Sequence, residues 1–310
     1  MKLVTFRAAD GSTHAGVIRD ERIFVLNYPT LQELLHDPDG LTQARQAFLH
    51  GSEKVCMLNE VVLCSPIPEP PAIRDFYAFE QHVKTARANR GLDMIPEWYE
   101  IPIFYFSNNS EVYGEGQEVP YPAGSRAVDF ELEIACVIGR EGKNIEVEAA
   151  ANYIAGYTIM NDWSARDFQL QEMKLNLGPG KGKDFATSLG PWLVTPDELA
   201  VYRHGQGATM SADKPQSDPS SERYDMTMLA RINGKEVSRG NFNQIYYSFP
   251  QMIAWASRNA RLRPGDILGS GTVGTGCILE LGTKVHRWLQ REDVVELEVE
   301  GIGVLRNRIV

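Results

Sequence analysis

Short apolar runs, alternating or unbroken, set the pattern of this chain. Residues 2–6 and 16–26 read as strands, separated by the turn-rich Ala9-Asp10-Gly11-Ser12. Thr30 then caps a helical stretch, Leu31-Gln32-Glu33-Leu34-Leu35, and Leu41 to Leu49 suggests a second helix. The segment Ser65-Pro66-Ile67-Pro68-Glu69-Pro70-Pro71 follows, with four prolines in six residues. Proline lacks the backbone N–H and fixes φ, so neither a helix nor a central strand continues through it. The expected division is a small N-terminal α/β unit over residues 1–65 and a larger one over 66–310.

From about residue 72 the patterns are those of strands: 130–138, 226–232, 276–280 and 294–299. Asn233-Gly234 predicts a hairpin turn between residues 229–232 and 235–237, and Pro264-Gly265-Asp266 marks another turn. Helices are fewer, at 81–90, 163–174 and 247–258. The fold class is therefore mainly β, of the α+β kind. The polar stretch from Arg203 to Tyr224 reads as a surface excursion. No glycine-rich dinucleotide fingerprint follows a strand, and no phosphate-binding loop motif occurs.

Composition narrows the function. The chain has 310 residues, with 41 acidic against 31 basic side chains and a net charge of −10. That balance, without a basic run, argues against nucleic acid as a partner. Four widely spaced cysteines with no C-x-x-C pair argue against a zinc site or a disulfide scaffold and fit a reducing compartment. The N-terminus reaches a charge too early for a signal-peptide core, and no apolar stretch is long enough to span a membrane. A cytoplasmic protein is expected.

Four segments carry candidate chemistry. In Asp129-Phe130-Glu131-Leu132-Glu133-Ile134, strand alternation puts Asp129, Glu131 and Glu133 on one face. Neighbouring carboxylates repel unless a cation lies between them, which hard dications do with oxygen ligands. A solvated strand face is the commoner meaning of an isolated E-x-E, but here the run enters the uncharged Ala135 to Gly139. Asp162 stands where an apolar run meets a helical one, as an N-cap would, with Arg166 one turn on and able to pair with it. Gly178-Pro179-Gly180-Lys181-Gly182-Lys183-Asp184-Phe185 packs glycine around two lysines, an anion site or a flexible basic loop. Arg74-Asp75-Phe76-Tyr77-Ala78-Phe79-Glu80-Gln81-His82 brings together an acid, a phenol and an imidazole.

Taken together, these segments resemble the fumarylacetoacetate hydrolase family, in its fumarylacetoacetase-like branch, from about residue 70 to the end. The motifs D-F-E-L-E, N-D-W-S-A-R-D-x-Q, G-K-x-F, Gly190-Pro191-Trp192 and Gly269-Ser270-Gly271-Thr272 occur in the family's order. The resemblance implies a β-roll catalytic domain behind a small N-terminal domain, in a homodimer. It implies metal ligands at Glu131, Glu133 and Asp162, with Asp75 as the branch's fourth, for Mg²⁺ foremost or else Ca²⁺ or Mn²⁺. Asp129 shares the strand face but is not a family ligand. His82 matches the base and Glu280 its orienting partner, whereas His14, His36, His50, His204 and His286 read as ordinary core or surface residues.

The activity so implied is hydrolysis of a carbon–carbon bond in a small β-diketo acid, such as fumarylacetoacetate or the acylpyruvate fumarylpyruvate. Gln169, Lys183 and Arg166 match residues that steady oxyanions, while Tyr77, Tyr105 and Thr272 match residues that hold substrate. A family tyrosine falls at Met173 and a family arginine at Gly91, so Arg90 or Arg87 must serve with a shift of register. The alternatives are a lyase or isomerase of the same family (an oxaloacetate decarboxylase or a 2-hydroxydienoate isomerase) and a catalytically idle metal-binding dimer. The presence of both His82 and Glu280 favours hydrolysis.

Overall fold

A computed structural model describes residues 1–203 and 222–310. The stretch read as a surface excursion, with His204, lies largely outside the described residues. Most strands join one twelve-stranded sheet. Its middle is built from Thr187–Val194, Ile154–Asp162 and Leu132–Ile138, paired antiparallel, followed by Ile267–Gly269, Ile73–Phe76 and the edge strand Phe104–Ser107. Lys2–Arg7 hydrogen-bonds to the other side of Thr187–Val194, and Thr13–Arg19, Arg22–Val25 and Val55–Met57 continue outward. The N-terminal strands thus extend the same sheet. A second sheet of five strands includes Thr227–Ile232, Lys235–Asn241, Val294–Val299 and Gly303–Ile309.

The strand Leu132–Ile138 is buried along its whole length. Leu132, Ile134, Cys136 and Ile138 pack with Met228, Leu297 and Leu305 of the second sheet. Ala135 and Val137 face the other way, into a cluster with Leu31, Leu34 and Leu35 of the N-terminal helix Leu31–His36. Burial on both faces explains why the run from Ile134 to Ile138 is unbroken rather than alternating. Thr30 caps that helix as expected, its hydroxyl accepting from Gln32 N at 3.1 Å. Helices also form at Gly40–His50, Glu80–Ala88 and Phe249–Ser257, close to their expected positions. Asn233 and Gly234, at φ 52° and 78°, make the hairpin turn.

Four expectations need correction. Residues 16–26 form two strands, because Asp20 and Glu21 turn the chain at φ 51° and 60° without a glycine to mark the place. The expected strand 130–138 begins at Leu132, after a separate short strand, Val128–Asp129. The helix expected over 163–174 is Arg166–Met173, since Ser164–Ala165 pairs with Val128–Asp129 first. Residues 276–280 form no strand: a turn leads into the short helix Ile278–Leu281.

Candidate functional site

Sheet register brings the acids together. Asp75 lies opposite Gly269 on one neighbouring strand and Tyr105 on the other. Glu133 lies opposite Met160, two residues before Asp162. One carboxylate oxygen each from Asp75, Glu131, Glu133 and Asp162 falls within 4.8 Å of the others, and all four residues are buried. The glycine motif makes room for them. A Cβ on Gly269 would stand 2.5 Å from Asp75 Oδ1, and one on Gly271 2.4 Å from the carbonyl oxygen of Phe76. The Gly271 N–H donates to Glu133 Oε2 at 3.0 Å and to Asp75 Oδ1 at 3.2 Å.

Cations satisfy only part of this charge. The Lys183 ammonium bonds to Asp162 Oδ2 at 2.6 Å and to Glu131 Oε2. Arg166 reaches Glu131 Oε1 at 2.8 Å, and Tyr105 donates its hydroxyl to Asp162. Burial opposes ionisation of Glu131, but Lys183 and Arg166 outweigh it and hold its carboxyl below the usual range. Burial, then the charge of Asp162, pushes Asp75 well up, and burial with Asp75 does the same to Glu133. Burial also raises Asp162, against the pull of Lys183. Glu133 Oε1 and Asp162 Oδ1 are buried and accept from no donor among the described residues. Buried carboxylate oxygens rarely remain so. An all-oxygen cluster with two oxygens to spare fits a hard dication, Mg²⁺, Ca²⁺ or Mn²⁺.

The structure also pairs His82 with Glu280. His82 lies on the buried face of Glu80–Ala88, and its Nδ1 bonds Glu280 Oε1, from the helix Ile278–Leu281. Glu280 Oε2 accepts from Thr275 N at 3.0 Å. An ionised Glu280 makes Nδ1 the donor, and Nε2 has no hydrogen-bond partner among the described residues. The Tyr77 ring meets the imidazole edge-on at 5.2 Å, and burial lifts its phenol to about 12.

The remaining predicted residues separate. Gln169 accepts from Arg166 at 3.0 Å through its side-chain oxygen. Thr272 Oγ1 is buried without a partner among the described residues. Arg90 places Nη1 3.7 Å from Met173 Sδ, whereas Arg87 is occupied with the carbonyl of Asp93. Of the two arginines, Arg90 is the one joined to the Arg166–Met173 helix.

Two sequence readings change. Asp162 caps no helix: it ends the strand Ile154–Asp162, and its carboxylate is engaged by Lys183 and Tyr105. Arg166 pairs instead with Asp129, at 2.8 Å, and with Glu131. Asp129 has a further role that strand parity alone conceals. Its carboxylate accepts from Ile278 N at 2.7 Å and Leu279 N at 3.0 Å, fixing the first turn of the helix that carries Glu280. Two other residues escaped the sequence reading. Cys277 Sγ stands 3.7 Å from Glu280 Oε1, a contact its spacing three residues before Glu280 could have suggested. Glu172 receives the N–H groups of Gly180, Lys181 and Gly182, shaping the loop before Lys183.

Comparison with known proteins places the chain in a family. Residues 72–310 match the family described as fumarylacetoacetate (FAA) hydrolase C-terminal. The chain is 34% identical over 322 residues to the oxaloacetate tautomerase FAHD2A, mitochondrial, of Homo sapiens, across 100% of this chain and 92% of that protein. It is 32% identical over 303 residues to a fumarylacetoacetase of Arabidopsis thaliana, across 84% of this chain and 66% of that protein, just under two thirds of its length. A probable 2-hydroxyhepta-2,4-diene-1,7-dioate isomerase of Mycobacterium abscessus has a similar structure, with a TM-score of 0.72 at 26% identity over 100% of this chain and 98% of that one. With a family match over more than half its length, the chain belongs to the fumarylacetoacetate hydrolase family.

Proposed function

We propose that this protein hydrolyses a carbon–carbon bond of a β-diketo acid, of the fumarylacetoacetate or acylpyruvate kind, with a divalent cation held by Asp75, Glu131, Glu133 and Asp162. The observation that carries the reading is the His82–Glu280 pair, an imidazole held against a carboxylate in a chain that also gathers four carboxylates, two of them with an unpartnered oxygen among the described residues. The cation, when bound, supplies Lewis-acid polarisation of the dicarbonyl. His82 Nε2 takes a proton from water, and Glu280 stabilises the imidazolium that results. The hydroxide adds to the carbonyl carbon, and the carbon–carbon bond breaks with its electron pair passing to the enolate. Lys183, Arg166 and Gln169 offset the oxyanion charge, and His82 returns the proton to carbon. Tyr77, Tyr105, Thr272 and Arg90 orient the substrate.

The division at the prolines gives residues 1–65 the work of extending the sheet behind this site. A cytoplasmic homodimer is the setting we propose; among the described residues no helix is long and apolar enough to cross a membrane.

A second reading is tautomerisation, favoured by the relative named an oxaloacetate tautomerase, which aligns with all of this chain. That reaction moves a proton between carbon and oxygen and consumes no water. A panel of β-diketo acids and oxaloacetate, assayed with and without EDTA and with products identified, separates the two. Cleavage abolished by EDTA and by His82→Ala supports hydrolysis. Cleavage of acylpyruvates by His82→Ala at the wild-type rate, with metal still bound, would falsify it.

A further inference from the structure

His82, Cys277 and Glu280 form a second group of metal-competent side chains, their ligand atoms within 4.8 Å of one another. Its donors differ in kind from those of the carboxylate cluster: an imidazole nitrogen, a sulfur and a single carboxylate oxygen. Mixed nitrogen and sulfur sets suit zinc and its soft relatives, and oxygen-only sets suit magnesium and calcium. Ligand atoms around a tetrahedral zinc, at bond lengths of about 2.0–2.3 Å, stand about 3.3–3.8 Å apart. Cys277 Sγ and Glu280 Oε1 are already 3.7 Å apart. The imidazole–carboxylate contact opens to the same spacing on loading, and the imidazole and the sulfur, within 4.8 Å of each other, complete the set.

Charge also favours such an ion. One thiolate and one carboxylate offset a dication, so the loaded set is neutral and suited to burial. Cys277 is fully buried. Burial first, and then the charges of Asp129 and Glu280, hold its thiol protonated against the influence of Arg166. Without metal the sulfur is inert, and an ion that replaces its proton brings it into play.

We propose that His82, Cys277 and Glu280 constitute an inhibitory site for a dication of the zinc class, separate from the carboxylate cluster. The ion takes His82 Nδ1, Cys277 Sγ and Glu280 Oε1. The thiol proton leaves to solvent, and the proton on Nδ1 moves to Nε2. Nε2 then has no lone pair to receive a proton from water, so the base is removed while the hard cation stays in place. The effect on catalysis rests on the reading of His82 as the base; the binding does not.

The test uses the whole chain, saturated with Mg²⁺. Co²⁺ serves as a spectroscopic substitute for zinc, because a thiolate-to-cobalt charge-transfer band reports sulfur ligation whether or not the protein hydrolyses anything. The wild-type protein is expected to show the band at one ion per chain, lost on adding Zn²⁺, and to be inhibited by Zn²⁺ in a way that excess Mg²⁺ does not relieve. Cys277→Ser, checked for folding by circular dichroism, is expected to lack the band and to weaken inhibition by about tenfold or more. Should that variant fail to fold, His82→Ala must weaken Co²⁺ binding by a similar factor. The proposal is overturned if the wild type shows no band. It is equally overturned if Zn²⁺ inhibits wild type and Cys277→Ser alike and Mg²⁺ relieves both, which places zinc on the carboxylates. A band without inhibition, in a protein that cleaves a β-diketo acid, upholds the site and refutes its inhibitory role; no cleavage at all, with the band present, refutes the hydrolase reading alone.

Discussion

Two buried acids four residues apart, Asp129 and Glu133, show opposite ways of keeping a carboxylate out of water. Both are fully buried. Asp129 accepts from Phe130 N, Ile278 N, Leu279 N and Arg166 Nε, all at 3.0 Å or less. Among the described residues Glu133 accepts from Gly271 N alone, leaves Oε1 bare, and faces Asp75. The contrast gives a criterion for reading buried acids. A carboxylate whose lone pairs are all met belongs to the architecture, even inside an active site. One left short beside others of its charge awaits a cation that the chain does not itself supply.

The largest expected effect lies with neither. His82→Ala is expected to slow cleavage about 10²–10⁴-fold, the usual contribution of a general base. Isothermal titration should find its Mg²⁺ affinity near that of wild type. Asp129→Asn comes next, because it removes one of the two carboxylates paired with the buried Arg166 guanidinium and loosens the helix that carries Glu280. It should lower unfolding stability by about 3–5 kcal/mol in urea titrations. A loss below about 1 kcal/mol would break the comparison, since Asp129 would then not be the architectural acid. If it acts through Glu280, its effect on kcat should also be non-additive with Glu280→Gln.

Metal should separate the two acids in the opposite sense. At a hundred times its Kd, Mg²⁺ should stabilise the wild type by about 2.7 kcal/mol, seen as a concentration-dependent rise in Tm. Glu133→Gln should abolish that rise. In EDTA, however, the same variant should be more stable than wild type by about 1–2 kcal/mol, because it removes a carboxyl that folding must protonate against burial and the charge of Asp75. A Glu133→Gln protein less stable than wild type without metal would show that the cluster is held together by its own hydrogen bonds.

How far these acids were legible in the sequence follows from the same contrast. Strand parity pointed Glu131 and Glu133 the same way, and their carboxylates do converge although Glu131 precedes the strand that begins at Leu132; the unbroken run after them pointed inward. Spacing could not reveal that Asp129 leaves that strand: strand pairing is interrupted between Asp129 and Leu132, and the carboxylate meets Ile278 and Leu279, about 150 residues away. Asp162 resembled an N-cap because any Asp at a strand–helix junction does. Its true partners, Lys183 and Tyr105, come from other elements. Cys277-Ile278-Leu279-Glu280 suited a strand as well as a helix, since a four-residue helix shows no period. The turn at Asp20-Glu21 lacked the glycine that usually marks one. The motif residues were legible because the family resemblance assigned them; the contacts that hold them were not, because they are long-range.

The smallest effect tests whether under-satisfaction alone makes an acid functional. Glu115 lies outside the metal cluster, partly buried, with one close donor, Arg306 N at 2.6 Å. Burial lifts its carboxyl from 4.5 to about 7 against the pull of Arg306, and Glu296 adds to the rise. The folded state therefore holds this proton more tightly than the unfolded one. Below about pH 4.5 both states are protonated and the burial costs nothing; as pH rises toward about 7 the unfolded chain ionises first and stability falls; above about 7 the loss is complete. Glu115→Gln keeps an acceptor for Arg306 and removes the titration. Its Tm should match that of wild type near pH 4.5 and exceed it by about 2 °C above pH 7, a modest gap because solvent screens a partly exposed group. Mg²⁺ should leave the gap unchanged. If Mg²⁺ closes it, a lone under-satisfied acid is sufficient to bind a cation; if the gap persists, a metal site requires several such acids converging, as they do at Asp75, Glu131, Glu133 and Asp162.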